Sequence, residues 1–315
     1  MNRVLVLGAT GHIGQAVVRH WLGLGCKVTA ATRQAEPDSL RGLEVAVARV
    51  GDRMEGLENA AAGQDFIVDA AAPHPLDPAV RFQAVAAAVR RTERVLEAVR
   101  ARKTRLVFVS SFTTLPRVES PLAAMEAAWR RTVYPYFEAK AAMERLVLEA
   151  AGAGLPAVVV NPAACLGPWE FRAGESSFVR MALTGRLGAV MDQTLNVIDT
   201  RDVAALMERA VAAEMYGRPI ALAGHNVSVA ELVRLIIGVP PVCVDSRVAA
   251  AAAWWTEAVF ATTGQRVPDL WRAVPLIADS FPMTPSPEQS GLGVRLRPLA
   301  ETIRDAVAFH RESLE

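Results

Sequence analysis

Short, unbroken apolar runs alternate with longer stretches of helical periodicity through the first half of the chain. Val4 to Leu7, Val28 to Ala31, Phe66 to Val68, Leu106 to Val109 and Ala157 to Val160 read as buried strands, and Val45 to Val50 as a further strand-like segment. Between them, Ile13 to Leu24, Val80 to Arg102 and Tyr136 to Ala151 repeat apolar residues at helical spacing. Strands apolar on both faces and separated by helices predict an α/β fold with a doubly wound parallel sheet. Past Pro162 the rhythm weakens. Gly167-Pro168-Trp169 opens a loop-rich section, Asp202 to Ala213, Val229 to Ile237 and Leu299 to His310 look helical, and Ala278 to Gly293 is expected to be loop. There is no internal repeat.

The first strand runs into Gly8-Ala9-Thr10-Gly11-His12-Ile13-Gly14, where the next helix begins. Glycines there allow a tight turn, close approach of backbone to a pyrophosphate, and close helix–strand packing, while the helix N-terminus offers N–H groups to phosphate oxygens. The position of the motif between strand and helix gives it more weight than the glycine spacing alone. After the second strand comes Ala30-Ala31-Thr32-Arg33, without the carboxylate that usually holds the ribose hydroxyls of NAD. A guanidinium suits a 2′-phosphate, so Arg33 favours NADP(H), with NAD(H) possible and a solvated surface arginine as the plain alternative. Asp52, in Gly51-Asp52-Arg53, is placed to accept a bond from an adenine amino group.

Tyr136 and Lys140 stand four apart and so share one helix face. With three tyrosines and three lysines in 315 residues, that spacing is expected by chance only roughly 0.03 times. The pair has a chemistry: a carbonyl that takes a hydride needs a proton at the developing alkoxide, and a nearby ammonium favours the phenolate and lowers the phenol pKa toward working pH. Ser110 and Ser111, at the end of the Val107 to Val109 strand, supply hydroxyls to position such a carbonyl.

These motifs together, with Ala70-Ala71-Ala72, Asn161-Pro162, Gly167-Pro168 and the Asn196 to Ala204 segment, resemble the extended short-chain dehydrogenase/reductase family over nearly the whole chain. Asn161-Pro162 and Leu195-Asn196-Val197 look nearest to its dihydroflavonol-reductase-like and hopanoid-associated branches. The resemblance implies a Rossmann domain over residues 1–165, with 195–213 returning to it, and a smaller substrate-binding lobe over 166–194 and 214–315. It also implies that Ser111 orients the substrate, Tyr136 is the acid/base, and Lys140 also holds the nicotinamide ribose. The cofactor set then comprises Gly8, Thr10, Gly11, His12, Ile13, Gly14, Arg33, Asp52, Ala70, Ala71, Ala72, Ser110, Tyr136, Lys140, Pro162 and Ala163. A homodimer through the two long helices is implied as well.

Departures from the family pattern sharpen the expectation. Ala88 replaces the usual helix asparagine, and Arg91-Thr92 replaces a Gly-Thr pair. Phe112-Thr113 follows Ser111 where sugar-nucleotide dehydratases carry Asp-Glu, and Leu195-Asn196-Val197 replaces the Arg-Asp-Phe of many sugar-nucleotide epimerases. The expected activity is NADP(H)-dependent reduction of a carbonyl on a mid-sized organic substrate. The alternatives are a nucleotide-sugar epimerase that returns its hydride, and an NADP-sensing regulatory protein without turnover.

Composition narrows the partners. A net charge of +1 and scattered arginines point away from nucleic acid and membrane surfaces, and toward a small-molecule substrate. Cys26, Cys165 and Cys243 lack C-x-x-C spacing, so neither a disulfide framework nor a metal site is expected, and three free thiols suit the cytoplasm. The N-terminus enters a strand directly, with no signal-peptide pattern. His74, in Pro73-His74-Pro75, reads first as a solvated loop histidine and second as a substrate contact. Trp169 is a pocket candidate, while Trp254, Trp255 and Trp271 suit a pocket wall, core packing or a partner contact equally.

Overall fold

The computed structural model describes residues 2–34, 37–51, 53–116, 134–171, 177–191, 193–263, 274 and 277–314. Its strands are β1 (Arg3–Leu7), β2 (Lys27–Thr32), β3 (Ala46–Arg49), β4 (Phe66–Asp69), β5 (Arg105–Val109), β6 (Ala157–Pro162), β7 (Ala164–Leu166), β8 (Ala189–Met191), β9 (Thr194–Asp199), β10 (Pro219–Leu222), β11 (His225–Ser228) and β12 (Val242–Val244). Seven of them form one sheet in the order β10-β6-β5-β4-β1-β2-β3, with every pairing parallel.

Both faces of this sheet are covered, which is why its strands read as continuous apolar runs. Val4, Val6, Val107 and Val160 pack toward the helices His12–Gly23 and Thr200–Ala212. Leu5, Leu7, Phe108 and Val159 pack toward Arg81–Arg102 and Pro135–Gly152. Strand order reverses between β1 and β4, and a crevice opens at their carboxyl ends. The register sets Leu7 beside both Ala31 and Asp69, Asp69 beside Phe108, and Val109 beside Val160. Gly8, Ala70, Ser110 and Asn161 therefore follow one another along the same edge.

A smaller core lies over that edge. It gathers β7, β9 and β11 in one sheet, β8 and β12 in another, and the helices Phe178–Leu183, Val229–Ile237 and Leu299–Glu312.

Three expectations are revised. Pro219–Leu222, assigned to the smaller lobe, is the seventh strand of the central sheet. It has one neighbour, and its proline stands at the first position of an edge strand, where no ladder N–H is needed. The stretch Ala278 to Gly293, expected to be loop, contains the helix Pro287–Gly291, started by Ser286 accepting from the Gln289 N–H with proline in the first turn. The section after Gly167 holds more order than expected, since its strands are only three to six residues long and leave little periodicity to read.

Candidate active site

The glycine turn is built for two different closures. Gly8 has φ +77°, and a Cβ there would sit 2.7 Å from the Ala70 carbonyl, so the turn and the β1–β4 approach both need glycine. A Cβ on Gly14 would collide with the Gly8 carbonyl, so Gly14 serves helix–strand packing. Gly11 is different: its nearest obstacle would be the Gly8 carbonyl at 3.3 Å, and it stands at the N-cap of the His12–Gly23 helix with no side-chain cap and no acidic residue in the first turn. That end of the helix, with its N–H groups and positive dipole, suits a pyrophosphate. Gln15 braces the turn by donating to the Ala9 carbonyl at 2.7 Å, and Thr10 is buried within it. The His12 ring turns away to the Gly167 carbonyl, 3.2 Å off, which leaves its backbone for the turn.

Arg33 is exposed immediately beyond β2. The neighbouring Thr32 hydroxyl accepts from the Gln34 N–H at 3.1 Å and keeps its own proton to donate. Asp52, expected near the adenine, lies outside the described residues. At the carboxyl ends of β4 and β6, Ala70, Ala72, Pro162 and Ala163 line a cavity of about 440 Å³, together with Ile13 and Ser110. Ala71 is held by its N–H donating to Asp69 at 3.2 Å.

Tyr136, Ser111 and Lys140 meet in the same cavity. The Tyr136 hydroxyl donates to Ser111 Oγ at 3.1 Å, and the Thr113 N–H and hydroxyl approach the same oxygen at 3.2 and 3.0 Å. Ser111 Oγ is thus the point on which Tyr136 and Thr113 converge. Lys140 Nζ donates to the Val109 and Ser110 carbonyls at 3.2 and 3.3 Å. Burial lowers its pKa to about 8, against the opposing pull of Asp69. The expectation that the ammonium lowers the tyrosine pKa is overturned. Burial pushes the Tyr136 phenol up to about 12, the Ser111 hydrogen bond opposing it only in part. A neutral phenol is the proton donor that reduction of a carbonyl needs.

His74 is more than a solvated loop residue: its ring stacks on Tyr136 with centroids 4.2 Å apart. Crowding and the Lys140 charge lower its pKa, although its outer edge stays exposed. Cys165 also reaches the cavity, but burial raises its thiol to about 12, so it is neutral there. Trp169, expected at the pocket, lies instead under Arg19, whose guanidinium carbon is 4.6 Å from the ring centroid. Trp255 is largely exposed, while Trp271 and the Trp254 side chain lie outside the described residues.

Two features were not legible beforehand. Arg91 makes a two-pronged ion pair with Asp69 at 2.6 and 2.8 Å, at the carboxyl end of β4. Glu144 takes bonds from Ser110, Thr114 and Asn161 beneath Ser111. Glu144 stands four residues past Lys140, and that spacing is the one signal that would have found it. A hollow of about 530 Å³ at the opposite strand ends, around Arg3, Lys27 and Gln64, contains none of these acid/base groups. Among the described residues, no cluster of His, Cys, Asp and Glu is placed to hold a metal ion, and no helix is long and apolar enough to cross a membrane.

Comparison with known proteins adds an independent line. The model of the NAD dependent epimerase/dehydratase family matches residues 4–220. Sterol demethylase protein B of Methylococcus capsulatus is 34% identical over 229 residues, covering 67% of this chain and 68% of that protein. A Synechocystis protein provisionally named dihydroflavonol 4-reductase is 27% identical over 325 aligned positions, covering 96% and 92%. A solved nucleoside-diphosphate-sugar epimerase of Pseudomonas aeruginosa shares the fold, with a TM-score of 0.72 at 21% identity over 99% and 98% of the two chains.

Proposed function

The chain belongs to the NAD-dependent epimerase/dehydratase family of extended short-chain dehydrogenase/reductase enzymes, and from that premise we propose that it is an NADP(H)-dependent reductase of a carbonyl on a mid-sized organic substrate. One observation carries this reading: a neutral, buried Tyr136 phenol stands 3.1 Å from Ser111 Oγ, with the Lys140 ammonium behind both.

The Gly8–Gly14 turn and the uncapped helix end fit the pyrophosphate of a nicotinamide dinucleotide, and Lys140 would hold its ribose. That cofactor supplies the hydride. The chain's own residues do the rest. Ser111 donates its hydroxyl proton to the carbonyl oxygen and orients it. Tyr136, close enough to share that oxygen, gives up its phenolic proton as negative charge develops there. Lys140 stabilises the phenolate left behind.

The substrate end of the cavity is walled by Leu166, Phe178, Met181, Leu195, Val197 and Leu232. Such walls favour an apolar body, since each square ångström removed from water contributes about 25 cal/mol, whereas a buried phosphate lacks compensation there. The relatives named for a sterol and a dihydroflavonol are in keeping with this. The test is to offer uncharged ring ketones and UDP-sugars to the purified protein with NADPH. Stoichiometric loss of NADPH with a ketone supports reduction; interconversion of a sugar without net cofactor loss would replace it by epimerisation.

The cofactor preference rests on Arg33. A hydrogen bond to a charged group contributes about 1.5–3 kcal/mol, or roughly ten- to a hundredfold in affinity. Arg33→Ala should weaken NADPH by about that factor and leave NADH nearly unchanged. Arg33→Asp should shift preference toward NADH. Fluorescence titration of both cofactors decides, and equal losses for both would make Arg33 structural.

We place the enzyme in the cytoplasm, in keeping with three free thiols. It forms a homodimer through the Arg81–Arg102 and Pro135–Gly152 helices, the first of which carries Phe82, 82% exposed, in its first turn. Light scattering should return twice the chain mass; a monomer at micromolar concentration would refute this assembly.

A further inference from the structure

We propose that Glu144 is a positioning residue for this reduction: its buried carboxylate gathers Ser110, Thr114 and Asn161, and so holds the 109–114 segment against which Tyr136 and Lys140 close. The inference rests on the reductase reading above.

The geometry is specific. Ser110 Oγ donates to the carboxylate, Thr114 Oγ1 lies 2.7 Å from it, and Asn161 Nδ2 lies 2.6 Å from it, all on one oxygen. Asn161 Nδ2 also reaches the Ser111 carbonyl at 3.2 Å and Thr114 Oγ1 at 2.8 Å, while the Thr114 hydroxyl is 2.8 Å from that same carbonyl. Ser111 is therefore gripped through its backbone by the residues that Glu144 organises. Its hydroxyl meets Tyr136, and the carbonyls of Val109 and Ser110 take Lys140. One carboxylate thus sets the spacing of all three.

Structure alone gives no reason for a charge here. Glu144 is only 8% exposed, and burying a carboxylate costs more than burying the amide of the same shape. The charge has a use one turn away. Lys140 is surrounded by Asp69 from β4, His74 from the loop after β4, Arg91 from the Arg81–Arg102 helix, Cys165 from β7, and Glu144 from its own helix. Burial lowers Lys140 to about 8 and Arg91 adds to that, while Asp69 and Glu144 oppose it. The ammonium is the form that stabilises a phenolate, so reduction should fade as pH rises through the Lys140 pKa. Removing the Glu144 charge should move that limb to lower pH.

The test uses Glu144→Gln. The chain has only three lysines, Lys27, Lys103 and Lys140, so nitrogen-15 lysine labelling reads the Lys140 titration directly, without substrate. We expect its midpoint to fall by about one unit, and kcat at neutral pH to fall about tenfold with KM for the ketone unchanged. An unchanged midpoint and kcat, with only a lower unfolding temperature, would make Glu144 a packing residue and overturn the proposal. A shifted midpoint in a protein that reduces no ketone would keep the Glu144–Lys140 coupling and sink the reductase reading instead. Should Glu144→Gln fail to fold, Thr114→Val removes one member of the grip and keeps the charge. It should lower kcat without moving the Lys140 midpoint, and an unchanged kcat there would overturn the positioning role.

Discussion

Tyr136→Phe should lower turnover by about two to four orders of magnitude, the usual contribution of a positioned general acid, while folding and NADPH binding stay close to wild type. The side chain is 7% exposed and stacked under His74, and phenylalanine fills the same volume. Only the hydroxyl is lost. Ser111 Oγ keeps its approaches from the Thr113 N–H and hydroxyl, so no buried acceptor is orphaned. The stability change should therefore stay within about 1.5 kcal/mol, the worth of one neutral hydrogen bond. Without the phenol, the developing alkoxide has only the weakly acidic Ser111 hydroxyl beside it. Steady-state NADPH consumption measures the first effect and urea unfolding the second. A variant keeping more than half of wild-type turnover would remove Tyr136 from the mechanism.

Arg91→Ala should cost about 3–5 kcal/mol of stability, because it strands a charge rather than deleting a contact. The Asp69 side chain is completely buried at the carboxyl end of β4, and among the described residues Arg91 is the cation that reaches it at hydrogen-bond distance. Burial works against the arginine's own charge, and the attraction and bonds of Asp69 outweigh it. Coupled replacement is the informative control. Asp69→Asn with Arg91→Met removes both charges, keeps an acceptor for the Ala71 N–H, and should recover most of the loss. Denaturant titration of the single and double variants decides: a loss below about 1 kcal/mol for Arg91→Ala would mean that water reaches Asp69.

Much of the framework was readable because its causes are local. Strand and helix runs through residue 162 follow from apolar residues recurring at the period of each element. The Gly8–Gly14 turn follows from the steric demands of a strand-to-helix reversal, and the Tyr136–Lys140 face from the pitch of one helix. Family membership rode on the same motifs, and the comparisons agree with it. The short segments after Gly167 were harder to read, since a three-residue strand such as β8 or β12 carries too little period to register.

The tertiary structure decided what depends on distant partners. Asp69 and Arg91 are 22 residues apart, Ser110 and Glu144 34, and the members of each pair lie in different elements, so no repeat within one element brings them together. Pro219–Leu222 joins the central sheet only because β6 offers a free edge, which is a property of the assembled sheet. The tyrosine's acidity belongs to this class as well. Its lysine neighbour was visible in the chain and argued for a lower pKa, but the degree of burial was not, and burial won. Spacing along a chain determines which groups can share a face. How much water reaches them is set by everything that packs on top.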